Sequence, residues 1–436
     1  MGSADSDRAA WGKLSPDGTQ RQPLADHCRD VAAVFVGLSR LPGVRRRLAA
    51  LADRPALLDA WIERLGWLAF LHDFGKVNAG FQARSDPAAP PIGHVAPIAA
   101  LPEEATERLF PPSIADWGEI DALRDLFDAI LSHHGRPWDA DLDDNGKAKY
   151  RRHWSKRGDY DPIAELVALR SAADRQFPAA FTEGIRPLPL PPRLIHALAG
   201  LVMLADWIAS SDWQASPTAP DLDAWVAARL RTIGLDPAPL RSWLTAAPLD
   251  FERAFGFAPR AAQRAFADAD GTLAILESET GSGKTEAALW RFVERFAAGA
   301  VDGLYFALPT RTAAVQLHRR VEALVARLWP DDPPPVVLAV PGYLDDSGPG
   351  SLPNAADRLD TAEGDARIAP TWAGEHPKRY FAATISVGTI DQALLAVLRV
   401  KHAHLRASAL MRHMLVIDEV HASDPYMSRV VATLVR

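Results

Sequence analysis

Residues Leu65–Gln82, LGWLAFLHDFGKVNAGFQ, decide how the first half of the chain is read. Leu65, Leu68, Ala69, Leu71 and Phe74 are apolar at helical spacing, which predicts one helix over the whole stretch. His72 and Asp73 stand side by side inside that apolar run. Burying an imidazole beside a carboxylate is costly unless something compensates, and a bound cation compensates strongly. Taken alone, the pair reads as a core histidine bonded to an aspartate. What turns the reading toward metal is the supply of further ligands elsewhere in the first half.

Those ligands lie on either side. Residues 1–22 are polar and predict a loose start. Leu24 then opens a helix that carries His27, with Val31, Val34 and Phe35 on its apolar side. A Pro-rich loop after the central stretch leads to Gly93-His94. An amphipathic helix over 119–131 ends in Leu131-Ser132-His133-His134-Gly135. Leu194–Trp213, LIHALAGLVMLADWIASSDW, predicts a nearly all-apolar helix with Asp206 in its middle, where a lone carboxylate needs a partner or an ion. His27, His72, Asp73, His94, His133, His134 and Asp206 together offer five imidazoles and two carboxylates. That mixture suits iron, manganese, nickel, cobalt or zinc better than calcium. Seven ligands exceed the needs of one ion with an open position, but fit two ions bridged by one carboxylate. Such a centre activates water and clamps a phosphodiester. Lys76, one turn after His72, either contacts the scissile phosphate or extends to solvent. His153 falls in a charged loop and His196 in the core, so neither is counted.

Composition limits the alternatives. The 436 residues allow two or three domains, and 48% are apolar, as in a globular chain. Cys28 is the single cysteine, which excludes an internal disulfide and a cysteine-based zinc site. No apolar run is read as a membrane span, the start lacks a signal-peptide pattern, and the expected location is cytoplasmic. The net charge of −7 leaves nucleic-acid binding to local patches. One such patch is Arg151, Arg152, Trp154, Lys156 and Arg157, which either stacks and guides a strand or is an ordinary solvated loop.

The second half changes character. Residues 217–250 read as Pro-rich turns with a short helix, the boundary between domains 1–245 and 246–436. Strands and helices then alternate, predicting an α/β domain with a mostly parallel sheet. Thr272–Leu276 reads as a strand and is followed by ESETGSGKT and a helix over Glu286–Phe296. In a strand–turn–helix setting, Thr280, Gly281, Ser282 and Gly283 would close backbone N–H groups on phosphates. Lys284 would reach the outer phosphates, and Thr285 would hold Mg²⁺. The apolar run Met414–Ile417 ends in Asp418-Glu419, a metal-binding acid and a general base in this setting.

The order His27, His72-Asp73, His94, His133-His134, Asp206 resembles the HD-type metal-dependent phosphohydrolases, all-helical domains. The double histidine and separate His94 are similar to the CRISPR-associated HD nucleases. That resemblance places His27, His72, Asp73 and Asp206 around one ion, and Asp73, His94, His133 and His134 around the other. The second half resembles the first RecA-like motor domain of superfamily-two helicases with a DExH box, here DEVH. It implies an adenine-reading Gln263. It also implies strand contacts from FALPTRTAA (Pro309, Thr310, Arg311) and VGTIDQALL (Gly388, Thr389, Asp391, Gln392).

Jointly the chain resembles the type I CRISPR-associated helicase-nuclease. The resemblance implies two divalent transition-metal ions, ATP with Mg²⁺, single-stranded DNA as substrate, and an RNA-guided surveillance complex as partner. Catalytic roles fall to Asp73, Lys76 and Glu419. The sequence stops at Arg436, soon after the box, so the second motor half is expected from a longer or separate polypeptide. Two other functions fit parts of the pattern: an HD phosphohydrolase of free nucleotides, and a non-catalytic nucleic-acid adaptor.

Overall fold

The computed structural model describes residues 9–15, 17–86, 88–135, 138, 142–211, 213–217, 221–340, 372–373, 379–420 and 424–435. Two compact units divide between Val226 and Ala227. The first unit opens with a hairpin of β1 (Trp11–Leu14) and β2 (Arg21–Pro23), followed by α1 (Leu24–Arg40), α2 (Pro42–Leu51) and α3 (Asp59–Phe70). A 3-10 turn spans Leu71–Val77. Next come α4 (Ala79–Gln82), α5 (Glu103–Leu109), α6 (Ile120–Leu131), α7 (Asp144–Arg151), α8 (Pro162–Gln176) and α9 (Pro192–Ser210). α10 (Leu222–Ile233) runs across the division. The second unit holds α11 (Ala238–Leu244), α12 (Phe251–Phe255), α13 (Ala261–Asp268), α14 (Lys284–Ala297), β3 (Gly303–Leu308), α15 (Arg311–Leu328) and β4 (Val336–Ala339). β5 (Ile385–Thr389), α16 (Ile390–Leu394), α17 (Ala403–Leu410), β6 (His413–Ile417) and α18 (Pro425–Leu434) complete it.

The first unit is helical around α9. Fourteen of its nineteen residues are buried, and α1 packs along it. By length and composition α9 could cross a membrane, against the expectation that no run would. It is the core helix of this unit, with 78% of its most apolar window buried. Three further expectations change. Residues 11–14 and 21–23 form a hairpin that buries Trp11 and Lys13, because the apolar WGKL run finds a cover on α1 and α4. The predicted helix over 65–82 breaks at Leu71, and Asp73 leaves helical geometry at φ −113°, ψ 16°. His153 is buried while His196 is exposed, the reverse of the sequence reading, because the 3-10 turn after α7 sets His153 against Gly80 and the register of α9 turns His196 outward.

In the second unit a parallel sheet runs in the order β4-β5-β3-β6. Phe306 of β3 pairs with Val387 on one side and Val416 on the other, and α14 and α15 contribute to the same core. The expected boundary segment 217–250 contains two helices, α10 and α11, rather than one. Thr272–Leu276 is not a strand. A strand requires a ladder partner, and this run has none among the described residues, leaving Leu273 69% and Ile275 78% exposed. β6 stands at one end of the sheet order, so one of its edges also carries no strand there.

Candidate metal centre and phosphate loop

The break at Leu71 puts Asp73 where a continuous helix could not. Its carboxylate faces two ways. Oδ2 lies 3.1 Å from His27 Nε2 of α1 and 3.4 Å from His72 Nε2. Oδ1 lies 3.2 Å from His94 Nε2 and 3.4 Å from His133 Nε2. Asp206 on α9 closes the first side, with Oδ1 3.6 Å from His27 and 4.0 Å from His72. His134 closes the second side, its Nε2 2.9 Å from that of His94. Ligand atoms of His27, His72 and Asp73 lie within 4.8 Å of one another, and so do those of Asp73, His94, His133 and His134. All seven predicted ligands therefore meet at one place, in two groups that share Asp73.

The ring orientations fit metal. His72 Nδ1 bonds Ala69 O at 3.0 Å, and His133 Nδ1 bonds Ile130 O at 3.0 Å. A carbonyl only accepts, so each Nδ1 carries the proton and each Nε2 points a lone pair at Asp73. His72 Nε2, His133 Nε2 and Asp73 Oδ1 are buried and make no hydrogen bond. Lone pairs facing a carboxylate with no proton between them repel, and a cation reverses that sign. Burial pushes the His27 imidazole down to about 3 and also lowers His94. Neighbouring His133, then burial, bring His134 down to about 2. Neutral imidazole is the ligand form. Burial alone would raise Asp73 and Asp206. Lys76, His72 and His94 outweigh it at Asp73, and Lys13, His27 and His72 at Asp206, so both stay below the usual carboxylate range.

Lys76 differs from expectation. It is buried, with Nζ 2.8 Å from Asp73 Oδ2 and 3.0 Å from Gly12 O, so it neither extends to solvent nor points at open space. Its ammonium balances the charge of the carboxylate that the two groups share. Sequence reasoning missed two supports. Asn78 is fully buried. It caps α4 by accepting from Phe81 N at 2.8 Å, and donates to Gly75 O at 2.7 Å and Gly93 O at 3.3 Å. It therefore ties the turn bearing His72 and Asp73 to the loop bearing His94. Gly12 of β1 presses its backbone against the His27 side chain and accepts from Lys76. The available signal was an Asn two residues after Lys76 and a Trp in an otherwise polar start.

In the second unit Gly281 (φ 77°) and Gly283 (φ 88°) turn the chain into α14, a backbone course that suits glycine. Lys284 Nζ donates to Ser278 O and Glu279 O at 2.8 and 3.2 Å, inside the loop it belongs to. Thr280, Ser282 and Thr285 stand in the same turn and the first residues of the helix. Gln263 is 2% exposed. Its amide donates to Gly283 O at 3.0 Å and accepts from Arg260 N at 2.8 Å, so it braces the loop instead of presenting a free edge to adenine. Asp418 and Glu419 follow β6. Asp418 N bonds Ala307 O, and Glu419 holds a left-handed φ of 54°. His421 lies outside the described residues.

The expected strand-contacting residues divide. Pro309, Thr310 and Arg311 are exposed at the end of β3, where Thr310 caps α15. Gly388, Thr389 and Gln392 are buried, and only Asp391 faces out. The reason is position. β5 lies between β4 and β3, Gly388 packs against Ala339 and Tyr305, and Thr389 O accepts from the Tyr305 hydroxyl at 2.7 Å.

A helical unit with a shared-carboxylate histidine cluster, in one chain with a parallel-sheet unit that carries a phosphate loop, defines an HD-type metal-site domain joined to a RecA-like nucleotide-binding domain. Residues 11–214 match the family described as Cas3, HD domain. The chain is 31% identical to the CRISPR-associated endonuclease/helicase Cas3 of Thermus thermophilus, over 98% of its own length and 48% of the relative's. The protein of the same name from Escherichia coli is 28% identical, over 96% of this chain and 51% of that one. A crystal structure of T. fusca Cas3 superposes with a TM-score of 0.68 at 26% identity, over 98% of this chain and 48% of that chain. Residues 11–214 thus resemble the Cas3 HD domain, the whole chain is similar to Cas3 nuclease/helicases, and it spans about half the length of the curated relatives it matches.

Proposed function

We propose that the first unit is a two-metal nuclease acting on single-stranded DNA, and that the second binds ATP with Mg²⁺ and contacts the strand. The carrying observation is the division of Asp73, one oxygen toward His27 and His72 and the other toward His94 and His133. The donor set of imidazoles and carboxylates suits ferrous, manganese, nickel or cobalt ions. Such ions would acidify a bound water and stabilise charge on a phosphodiester in displacement. The protein's share is to keep His27, His94 and His134 neutral, to aim His72 and His133 through backbone carbonyls, and to balance Asp73 with Lys76.

The seven metal-centre residues, the phosphate loop from Thr280 to Thr285, and Asp418 with Glu419 carry these roles. Kinship with Cas3 proteins supports the setting: target-DNA degradation in type I CRISPR interference, recruited by an RNA-guided surveillance complex in the cytoplasm. A Cas3 structure from T. fusca, determined with ATP, supports the nucleotide assignment at a TM-score of 0.67 and 25% identity.

The test is cleavage of circular single-stranded DNA with Mn²⁺ by this chain and by Asp73→Ala. The parent should linearise and degrade the circle, and the variant should lose at least about ten- to a hundredfold in rate, the loss that even supporting residues of a metal site cause when removed. Equal rates would overturn the metal-site reading.

A further inference from the structure

Residues 147–157, KAKYRRHWSKR, carry six basic residues and no acid in a chain of net charge −7. Lys149, Arg151, Arg152, Lys156 and Arg157 are exposed. Of the two large aromatics in the run, Tyr150 is half-buried beside Lys149, and Trp154 does not join the exposed cations at all. It is 3% exposed, and its indole donates to Pro97 O at 2.8 Å, three residues beyond His94. Tyr160, just downstream, donates its hydroxyl to Val77 O at 2.7 Å, at the end of the turn that bears His72 and Asp73. Between these two anchors His153 is buried against Gly80, where a side chain would collide with its ring. The basic segment is therefore fastened to both ligand-bearing segments, with Trp154 and the following Tyr160 turned inward as fixings and its exposed cations outward.

The same wall continues toward the centre. Gly80 is followed by Phe81, whose ring lies 5.4 Å from the His94 ring, and the exposed Arg84 guanidinium covers Phe81 at 5.0 Å. This is the open side of the centre, since His134 is exposed and His94 half-buried while His27, His72 and His133 are enclosed. A polyanion approaching by that side passes a row of fixed positive charge.

We propose that the exposed cations of Lys149–Arg157, with Arg84, dock the phosphate backbone of a single-stranded nucleic acid and lead it to the His94–His134 side of the metal centre. The proposal rests on the nuclease reading for its purpose. Backbone recognition by cations is independent of base sequence and strongly salt-dependent.

The test compares the full chain with Arg151→Ala/Arg152→Ala/Lys156→Ala/Arg157→Ala. A second variant, Arg54→Ala/Arg108→Ala/Arg124→Ala/Arg175→Ala, removes the same charge from exposed positions elsewhere in the unit. Binding of a fluorescein-labelled oligothymidylate, about 30 nucleotides long to span several strand-binding site sizes, is measured in EDTA across a salt series, so the readout does not depend on cleavage. Thermal unfolding confirms that each variant folds. The first variant should lower the slope of log affinity against log salt by roughly 2 to 3, from about 0.7 per lost contact, and weaken binding at least about tenfold. The second should keep the parental slope. Parental slope in the first variant, or an equal fall in both, would overturn the docking surface. Loss of Mn²⁺-dependent cleavage in the parent would instead strike the nuclease reading, and the binding comparison would still decide this one.

Discussion

Asp73 serves two ligand groups because its backbone leaves helical geometry. In a continued helix its carboxylate would follow the helical face and could not stand between α1 and the His94 loop. The turn that allows this is held by Asn78, whose amide binds Gly75 O, Gly93 O and Phe81 N. Asn78→Ala removes a helix cap and leaves buried carbonyls without a donor, at a cost of about 2 kcal/mol. The loop bearing His94 loses its tether to the turn. Elemental analysis should therefore find one retained ion instead of two, alongside a lowered urea midpoint. Two tightly held ions would show that Asn78 has no part in placing His94. At this scale the sequence was informative about chemistry: imidazoles and carboxylates announce themselves. It was uninformative about Lys76, because whether an ammonium faces solvent or Asp73 depends on Gly12, sixty-four positions away.

Among the elements, the phosphate loop shows how local rules and long-range contacts combine. Gly283 begins α14 at a φ of 88°, and a Cβ there would run into the Gln263 amide. Gly283→Ala combines backbone strain of about 1–2 kcal/mol with that collision. Calorimetric titration with ATP and Mg²⁺ should show affinity down by roughly tenfold, the equivalent of about 1.4 kcal/mol. Undiminished affinity would mean that the loop is not the nucleotide site. The turn and the helix were readable from ESETGSGKT. The strand before them was not correctly predicted, since an apolar run becomes a strand only beside another. Trp154 makes the same point: an aromatic inside a basic run can stack on a base or anchor the run, and Pro97 O decided for anchoring.

For the whole molecule, the two units differ in what holds them. The second has a sheet core built from Phe306, Val387 and the apolar faces of α14 and α15. The first buries His27, His72 and His133 around Asp73 with the Nε2 lone pairs of His72 and His133 unpartnered, which burdens the fold until cations arrive. Ions at about a hundred times their dissociation constant add about 2.7 kcal/mol per site. At about 2–4 °C per kcal/mol for a unit of this size, EDTA should lower the first unit's melting temperature by roughly 5–10 °C per site lost. The second unit's transition should hold. Calorimetry with and without chelator reads both, and an unmoved first transition would argue that no metal binds.

The amino-acid order by itself determined which chemistries were available: a histidine–aspartate ligand set, a phosphate loop, an acidic pair after a strand, and two contrasting halves. These are local, because they depend on side-chain identity and on spacing along one element. Only the tertiary structure decided which oxygen of Asp73 serves which histidines, that Lys76 is spent on that carboxylate, and that Gly388, Thr389 and Gln392 turn inward. Those outcomes depend on which distant segment arrives as a neighbour, and burial by a neighbour changes a group's free energy by more than its own local preference does.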